Sequence, residues 1–400
     1  MRKIFYSFLI FFLIFTIFSC GKTTEENVND TVAKTSDTVN DAGGAINNTL
    51  FGGTEEGSCE KNAFIVGNLV PEKGCHPNCK KNKAVIWNLC EGQKLLGDSF
   101  GVVDATGHNG SIYIADDGGF YWIVRAGNKI VKQPLKYPSG YKESEVTGIA
   151  VNSIGDVYVA GMVRKGSKEY TAYWKNGELV KAFRENADWY SEKNVAADSN
   201  GNVYIPGWRM KSHSTIYSAY WKNGNLKKLT TTYDGEATDV DISGTKVYFS
   251  GAHGPICDIP CPVKSGTLAA YWQGGRMTKV TKVNTAGYAK KWIMRSRASS
   301  IHVEGSKVYM AGDVDGFVPV YWKNKIQHEL PVEFNLDTCD YCTAEPIDIS
   351  VVDGKVLVAG NYNNVEDGGY RGAVYWLDKK LHKLCEGCDS SDAVAVVVMD

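Results

Sequence analysis

Short runs in which β-branched or aromatic residues alternate with small or polar ones recur along this chain, each bounded by Gly, Asn or Asp. One unit shows the pattern in full: 148–151, a turn at Gly155, 156–160, a polar loop, 170–174, the turn Asn176-Gly177, then 179–183. Period-two alternation between such punctuation predicts strands. Asn-Gly between two of them predicts a tight hairpin turn whose central residues both take positive φ. The turn signal returns at Asn223-Gly224 and Gly274-Gly275, and short turns between first and second strands recur at Gly110, Gly201, Gly244, Gly305 and Gly354. Each unit therefore reads as a four-stranded meander.

A Tyr-Trp or related dipeptide marks the third strand of each unit, at Trp122, Trp174, Trp221, Trp272, Trp322 and Trp376, with Ile86-Trp87 as a weaker first copy. Upstream stand β-rich runs ending at Gly67, Gly161, Gly207, Gly251, Gly312 and Gly360. Self-similarity with a period of roughly 40–50 residues is the mark of a propeller or solenoid. Seven third strands are present, but only six complete first strands precede them. The missing one lies at the other end, in Ala393-Val-Ala-Val-Val-Val398. That run is expected to form the innermost strand of the first blade, beside strands near Phe64, Val85 and Leu95, because closing the ring removes exposed edges. The expected fold is all-β: a seven-bladed β-propeller closed by its C-terminal strand. The second blade (112–135) departs from the rest in having Asp116 where others have Gly. The repeated tryptophans read as packing between neighbouring sheets, and the repeated glycines as bulges or close backbone approaches.

Two segments, Val195-Ala-Ala-Asp-Ser-Asn-Gly-Asn-Val-Tyr-Ile-Pro-Gly207 and Val151-Asn-Ser-Ile-Gly-Asp-Val-Tyr-Val-Ala-Gly161, resemble the SBBP-type repeat of bacterial seven-bladed β-propellers. The likeness covers two blades clearly and the others loosely. It implies the fold and brings no catalytic residues with it.

The chain has 400 residues, 43% of them hydrophobic and 22% charged, with a net charge of −1. That is ample for a large core, and the near-neutral balance argues against a nucleic-acid partner. The N-terminus reads as an address. Arg2 and Lys3 precede an apolar run from Ile4 to Phe18 that is short for a bilayer span. Ile17-Phe-Ser-Cys20 resembles the lipobox of bacterial lipoproteins, with Phe18 as a departure from the usual pattern. The resemblance implies a signal peptide over 1–19, acylation of Cys20 and a lipid-anchored protein of the cell envelope, at the outer membrane or cell surface. A plain secretory peptide cut nearby is the other reading. Residues 20–58, rich in Thr, Asn, Asp and Gly, are expected to be a disordered tether, with the propeller over 59–400.

In a meander blade the first-to-second and third-to-fourth turns share one face, and here they are short. Long connections (68–82, 184–194, 208–216, 252–266, 281–297, 331–346 and 361–370) fall on the other face, which therefore reads as the working surface. The non-repeating aromatics map there: Trp189 and Tyr190, Trp208 beside Arg209, and Trp292. Such residues build binding hot spots and sugar-stacking platforms, and they equally cap blade edges.

Apart from Cys20, ten cysteines remain in a disulfide-permissive compartment. Eight form close pairs on the long-loop face: Cys75/Cys79, Cys257/Cys261, Cys339/Cys342 and Cys385/Cys388. Cys59 and Cys90 map to the opposite face of the first blade. The compartment favours disulfides throughout. Zinc held by the two Cys-x-x-Cys pairs, and redox chemistry at them, are rival readings. Asp239, Asp241, His302 and Asp348 alternate with apolar residues on inner strands, where they either bond neighbouring blades or converge on the channel. No nucleophile elbow, zinc-protease helix or phosphate loop appears, and no cofactor is implied. The expected function is a membrane-anchored binding or scaffold module for a glycan, peptide or protein. The alternative is a propeller-fold hydrolase or lyase acting on an extracytoplasmic polymer.

Overall fold

Among the described residues, twenty-eight strands pair into seven antiparallel four-stranded sheets. The computed structural model describes residues 60–69, 82–125, 129–183, 194–212, 215–230, 235–254, 267–280, 296–314, 318–334, 342–364, 370–385 and 390–399. In six blades the chain runs from the innermost strand outward. Blade 1 instead takes Ser391–Val398 as its innermost strand, followed by Ala63–Leu69, Asn82–Asn88 and Gly92–Ser99. Val396 lies opposite Ile65 and Val397 opposite Phe64. The innermost strands of blades 2 to 7 are Val102–His108, Lys142–Val151, Ala196–Ala197, Gly235–Ser243, Ser296–Glu304 and Thr343–Val352. Each touches the next, and the tail strand touches those of both blade 7 and blade 2. The ring is sealed by one tail strand and three head strands, as the pattern predicts.

The hydrophobic core is divided among the seams between blades. One buried cluster occupies each seam, and each receives one repeated Trp. Trp174, Trp272, Trp322 and Trp376 are fully buried, and Trp87 and Trp122 nearly so. Trp174 Nε1 donates to the Lys136 carbonyl at 3.1 Å and Trp376 Nε1 to the Pro331 carbonyl at 2.8 Å, each in the preceding blade. Burying a large aromatic surface at every wedge explains why this residue repeats.

The repeated Gly has a backbone cause. A Cβ at Gly161, Gly251, Gly312 or Gly360 would run into the carbonyl of Glu145, Glu236, Arg297 or Glu345 on the inner strand. In each case the inner strand carries a bulge at that point. The repeated Asn works through its side chain. Asn176 and Asn223 take φ of 52° and Asn324 takes 60°. Their Oδ1 atoms accept from the N–H of Val157, Val203 and Val308 at 2.9, 2.8 and 3.1 Å, and their own N–H groups donate back to the same residues' carbonyls. One residue thus forms the outer turn and pins the start of the second strand.

Asp116, the departure in blade 2, is fully buried. It accepts from Ser99 Oγ at 2.5 Å, from the Gly118 N–H at 2.8 Å and from the Phe100 N–H at 3.3 Å. Its carboxylate organises the short link between blades 1 and 2, work that a glycine has no side chain to do.

Three connections differ from expectation. In blade 3 the polar loop is a hairpin, because Val157–Lys165 and Lys168–Lys175 pair through to Lys165 opposite Lys168. In blade 4 most of 208–216 is strand: Trp208 pairs with Ser218 and Arg209 with Tyr217. In blade 7 pairing continues to Asn364 opposite Tyr370.

Candidate functional site

The inner strands enclose an axial channel whose open part is a cavity of about 620 Å³. Its lining runs from Asp104, Asn194, Asp239 and Asp348 to Ser153, Ser199 and Gly244 at the short first-to-second turns. Among the described residues, the lining thus reaches the short-turn face.

One register position forms its floor. Reading blades 2, 3, 5, 6, 7 and 1, it holds Asp104, Gly148, Asp239, Ser300, Asp348 and Ala395, each paired with the residue before the repeated Gly or its equivalent. Asn194, two residues ahead of Ala196, stands there in blade 4. The polar members tie blade to blade. Asp104 Oδ2 accepts from the Ile149 N–H of blade 3 at 2.8 Å, and Asp239 Oδ2 from the Ile301 N–H of blade 6 at 2.8 Å. Asp348 Oδ2 accepts from the Val396 N–H of the tail strand at 2.7 Å. Asn194 Nδ2 donates to Asp239 Oδ1 and Ser300 Oγ to Asp348 Oδ1, both at 2.6 Å. Each carboxylate also accepts the N–H of its own following residue. Among the described residues, neutral backbone and side-chain donors balance these charges, and the balance is incomplete. Burial raises the Asp104 carboxyl well above the usual carboxylate range, and Asp348 and Asp239 add repulsion across the axis. Burial and then Asp348 push Asp239 up to about 7, and burial raises Asp348.

Two residues further along, a second level carries Thr106, Asp241, His302 and Ser350, opposite Tyr113, Tyr248, Tyr309 and Leu357. Asp241 accepts the Val303 and Ile242 N–H groups at 2.6 and 2.7 Å, and burial raises its carboxyl against the pull of His302. His302 Nδ1 lies 3.7 Å from Asp241 Oδ2, beyond hydrogen-bonding distance. On the long-loop side of the floor, Arg297 Nε pairs with Glu236 Oε1 at 2.5 Å. Burial, with Asp313 nearby, pushes Glu236 up to about 7, and burial lowers Arg297.

The structure places Asp239, Asp241, His302 and Asp348 on the wall of one channel; the three carboxylates also bond the adjacent blade, and His302 does not. Asp104, Asn194 and Ser300 share the floor and were not anticipated. Aligning inner strands on the repeated Gly would have found them. Among the aromatic candidates, Trp208 directly follows Gly207. The equivalent Asn68 and Asn361 in blades 1 and 7 bond the next inner strand, at Val102 and Ala393. Trp208 and Arg209 are partly buried, with partners of their own. Trp189, Tyr190 and Trp292 lie outside the described residues, as do Cys20, Cys59, Cys75, Cys79, Cys257, Cys261, Cys339 and Cys388. Cys90 sits in the outer turn of blade 1, and buried Cys342 and Cys385 flank the first and last strands of blade 7. None of these three is without a partner. Among the described residues no group of three His, Cys, Asp or Glu is placed to hold a metal ion.

Strand order and closure define the chain as a seven-bladed β-propeller protein. No protein-family model matches it, and no curated protein matches it either. Solved structures similar to it include the β-propeller domain of the Trilobed protease from Pyrococcus furiosus, at 10% identity and TM-score 0.47, covering 82% of this chain and 95% of that one. A polysaccharide lyase of the PL25 ulvan lyase family is similar at 12% identity and TM-score 0.44, with 82% and 97% covered. A chain of the nidogen/laminin complex is similar at 10% identity and TM-score 0.39, with 67% and 92% covered. At these scores the likenesses carry nothing about function.

Proposed function

We propose that this protein is a cell-envelope lipoprotein, anchored through lipid on Cys20, whose propeller is a binding and scaffold module. It presents its long-loop face to a glycan, peptide or protein partner, and its blades are of the SBBP repeat type. The observation that carries the reading is the commitment of the channel floor. Asp104, Asp239 and Asp348 each have both oxygens engaged, one by the N–H of the next blade's inner strand and the other by the N–H of the residue that follows. A general acid or base needs a carboxyl able to reach a reacting group, and these three are held as structural acceptors. Repeated residues thus serve the ring, and departures from the repeat concentrate on one face, where a rigid scaffold presents binding residues.

Disulfides belong to the same proposal. Cys90, Cys342 and Cys385 each have a partner, which supports a Cys59–Cys90 clasp and local staples at the Cys339/Cys342 and Cys385/Cys388 pairs within an oxidising compartment. Intact-mass analysis without reductant tests them: free thiols with stoichiometric zinc would overturn the staples. The binding face is tested by replacing Trp189, Trp208, Arg209 and Trp292 with Ala in the full chain. A glycan-array or pull-down signal is expected to be lost with folding intact, and a folded variant that keeps its full signal removes this surface. Palmitate labelling that survives Cys20→Ser would remove the anchor.

A further inference from the structure

Charge is distributed unevenly over this nearly neutral chain. From Ser199 to Val303 the sequence holds fourteen Lys or Arg against five Asp or Glu, so the rest carries an excess of acid. Three of those five acids, Glu236, Asp239 and Asp241, belong to the innermost strand of blade 5. The three outer strands of blade 4 (Val203–Ser212, Thr215–Lys222, Asn225–Lys228) and of blade 5 (Lys246–His253, Leu268–Gln273, Arg276–Lys279) contain none.

On the outermost strands of these two neighbouring blades, Lys227, Lys228, Arg276 and Lys279 are exposed, and none has a carboxylate partner among the described residues. Lys228 and Lys279 hold the same register position, opposite Ala219 and Ala270. Elsewhere on the exterior, opposite charges meet: Lys136 with Glu178, Arg164 with Glu169 and Lys307 with Glu304. The outer strands of blade 7 also lack acids, but there Lys355 and Lys383 are held by Glu60 and Glu333. A lysine on an outer strand discourages edge-to-edge pairing, and the mixed-sign pairs of the other blades do that equally well. Four unneutralised cations on adjacent rims add a local positive potential that draws a polyanion.

What the rim lacks narrows the partner. A protein interface is anchored by buried aromatic or aliphatic side chains, a bilayer surface by inserted apolar ones, and a nucleic-acid strand by exposed rings. Among the described residues the exposed large hydrophobic side chains are Leu95, Phe100, Ile154, Val180 and Ile326, all outside blades 4 and 5. Tyr204 and Tyr217 are buried, the second beneath Lys228, whose Nζ lies 4.8 Å from the ring centre. A hydrophilic chain that repeats its negative charge and needs no apolar anchor fits this surface.

We propose that the outer rim of blades 4 and 5 binds an acidic polysaccharide, whose anionic groups lie along Lys227, Lys228, Arg276 and Lys279. The Arg276 guanidinium takes a carboxylate or sulfate through two parallel hydrogen bonds, and the lysines act as point charges. This surface goes beyond the partner proposed for the long connections and does not depend on it.

Oligogalacturonate is the probe and dextran its uncharged counterpart, titrated calorimetrically into the purified full chain at low salt and neutral pH. Oligogalacturonate is expected to bind saturably and to weaken as salt is added, and dextran is expected not to bind. Replacing Lys227, Lys228, Arg276 and Lys279 together with Gln should weaken oligogalacturonate at least about tenfold, because four modest charge contacts are lost at once. Melting should be unchanged, since all four side chains are exposed. Replacing Lys61, Lys129, Lys168 and Lys380 with Gln removes the same charge from blades 1, 2, 3 and 7 and should leave affinity within about twofold. No saturable heat with oligogalacturonate, equal binding of dextran, or equal loss in the two folded variants overturns the proposal. So does a larger loss, in the first variant, of oligothymidine binding or of preference for phosphatidylglycerol over phosphatidylcholine vesicles, which would assign the rim to nucleic acid or to a membrane.

Discussion

Asp348 Oδ2 accepts the backbone N–H of Val396 at 2.7 Å, across the seam where the last blade in sequence meets the strand returning to the first. The same bond, from an inner-strand Asp to the second residue of the next inner strand's register, joins Asp104 to Ile149 and Asp239 to Ile301. The closing seam is therefore built like an internal one. On the outer side, Asn361 holds Ala393 through two hydrogen bonds, at 2.8 and 3.3 Å.

Replacing Asp348 with Ala should destabilise the protein by about 2–4 kcal/mol, since it strands the N–H groups of Val396 and Ile349 and the Ser300 hydroxyl at once. Chemical denaturation measures it. A loss under about half a kcal/mol would mean that water or a repacked neighbour satisfies those donors.

Removing residues 392–400 takes away nearly all of the innermost strand of blade 1. It exposes the edge of Ala63–Leu69 and opens the clusters that Ala393, Ala395, Val396 and Val397 complete on both sides. The expected outcome in calorimetry is loss of the single cooperative transition, because both flanking seams lose their inner wall. An unchanged melting temperature would refute closure by the tail.

Trp322, fully buried between blades 5 and 6, tests the seam packing. Trp322→Ala should cost about 3–5 kcal/mol, whereas Ile326→Ser, at a residue 66% exposed on the outer strand of the same blade, should stay within about half a kcal/mol. Similar losses at both would place the stability of the blade outside its seams.

How much of this was readable depended on repetition and burial. The tail strand could be placed because 393–398 has strand alternation and no partner in its own repeat. The tryptophans were legible because packing positions recur in every wedge. The floor of the channel was only half legible. Asp239 and Asp348 stand out as charges among apolar neighbours, but Asn194 and Ser300 serve the same ring with different chemistry, and only the register unites them. The hairpin extensions in blades 3, 4 and 7 were hidden for a related reason. Pairs such as Arg164 and Glu169 face each other across exposed strands, where no burial imposes an apolar alternation.

The raised carboxyls of the floor give a pH dependence with a definite sign. Burial raises the carboxyls of Asp104, Asp239 and Asp348 in the folded state, Asp239 to about 7, while an unfolded Asp titrates near about 4. Between those values the folded chain binds protons that the unfolded chain releases, so stability falls as pH rises. The contribution is present in full below the unfolded value and is lost as pH passes through the folded one. Melting temperature should therefore drop between about pH 5 and pH 8. Asp239→Asn should flatten that slope, even though its amide meets the Ile301 N–H or Asn194 with the wrong polarity and lowers stability at every pH. A melting temperature that climbs steadily over the same range would mean that the inter-blade N–H donors outweigh burial and keep the floor ionised.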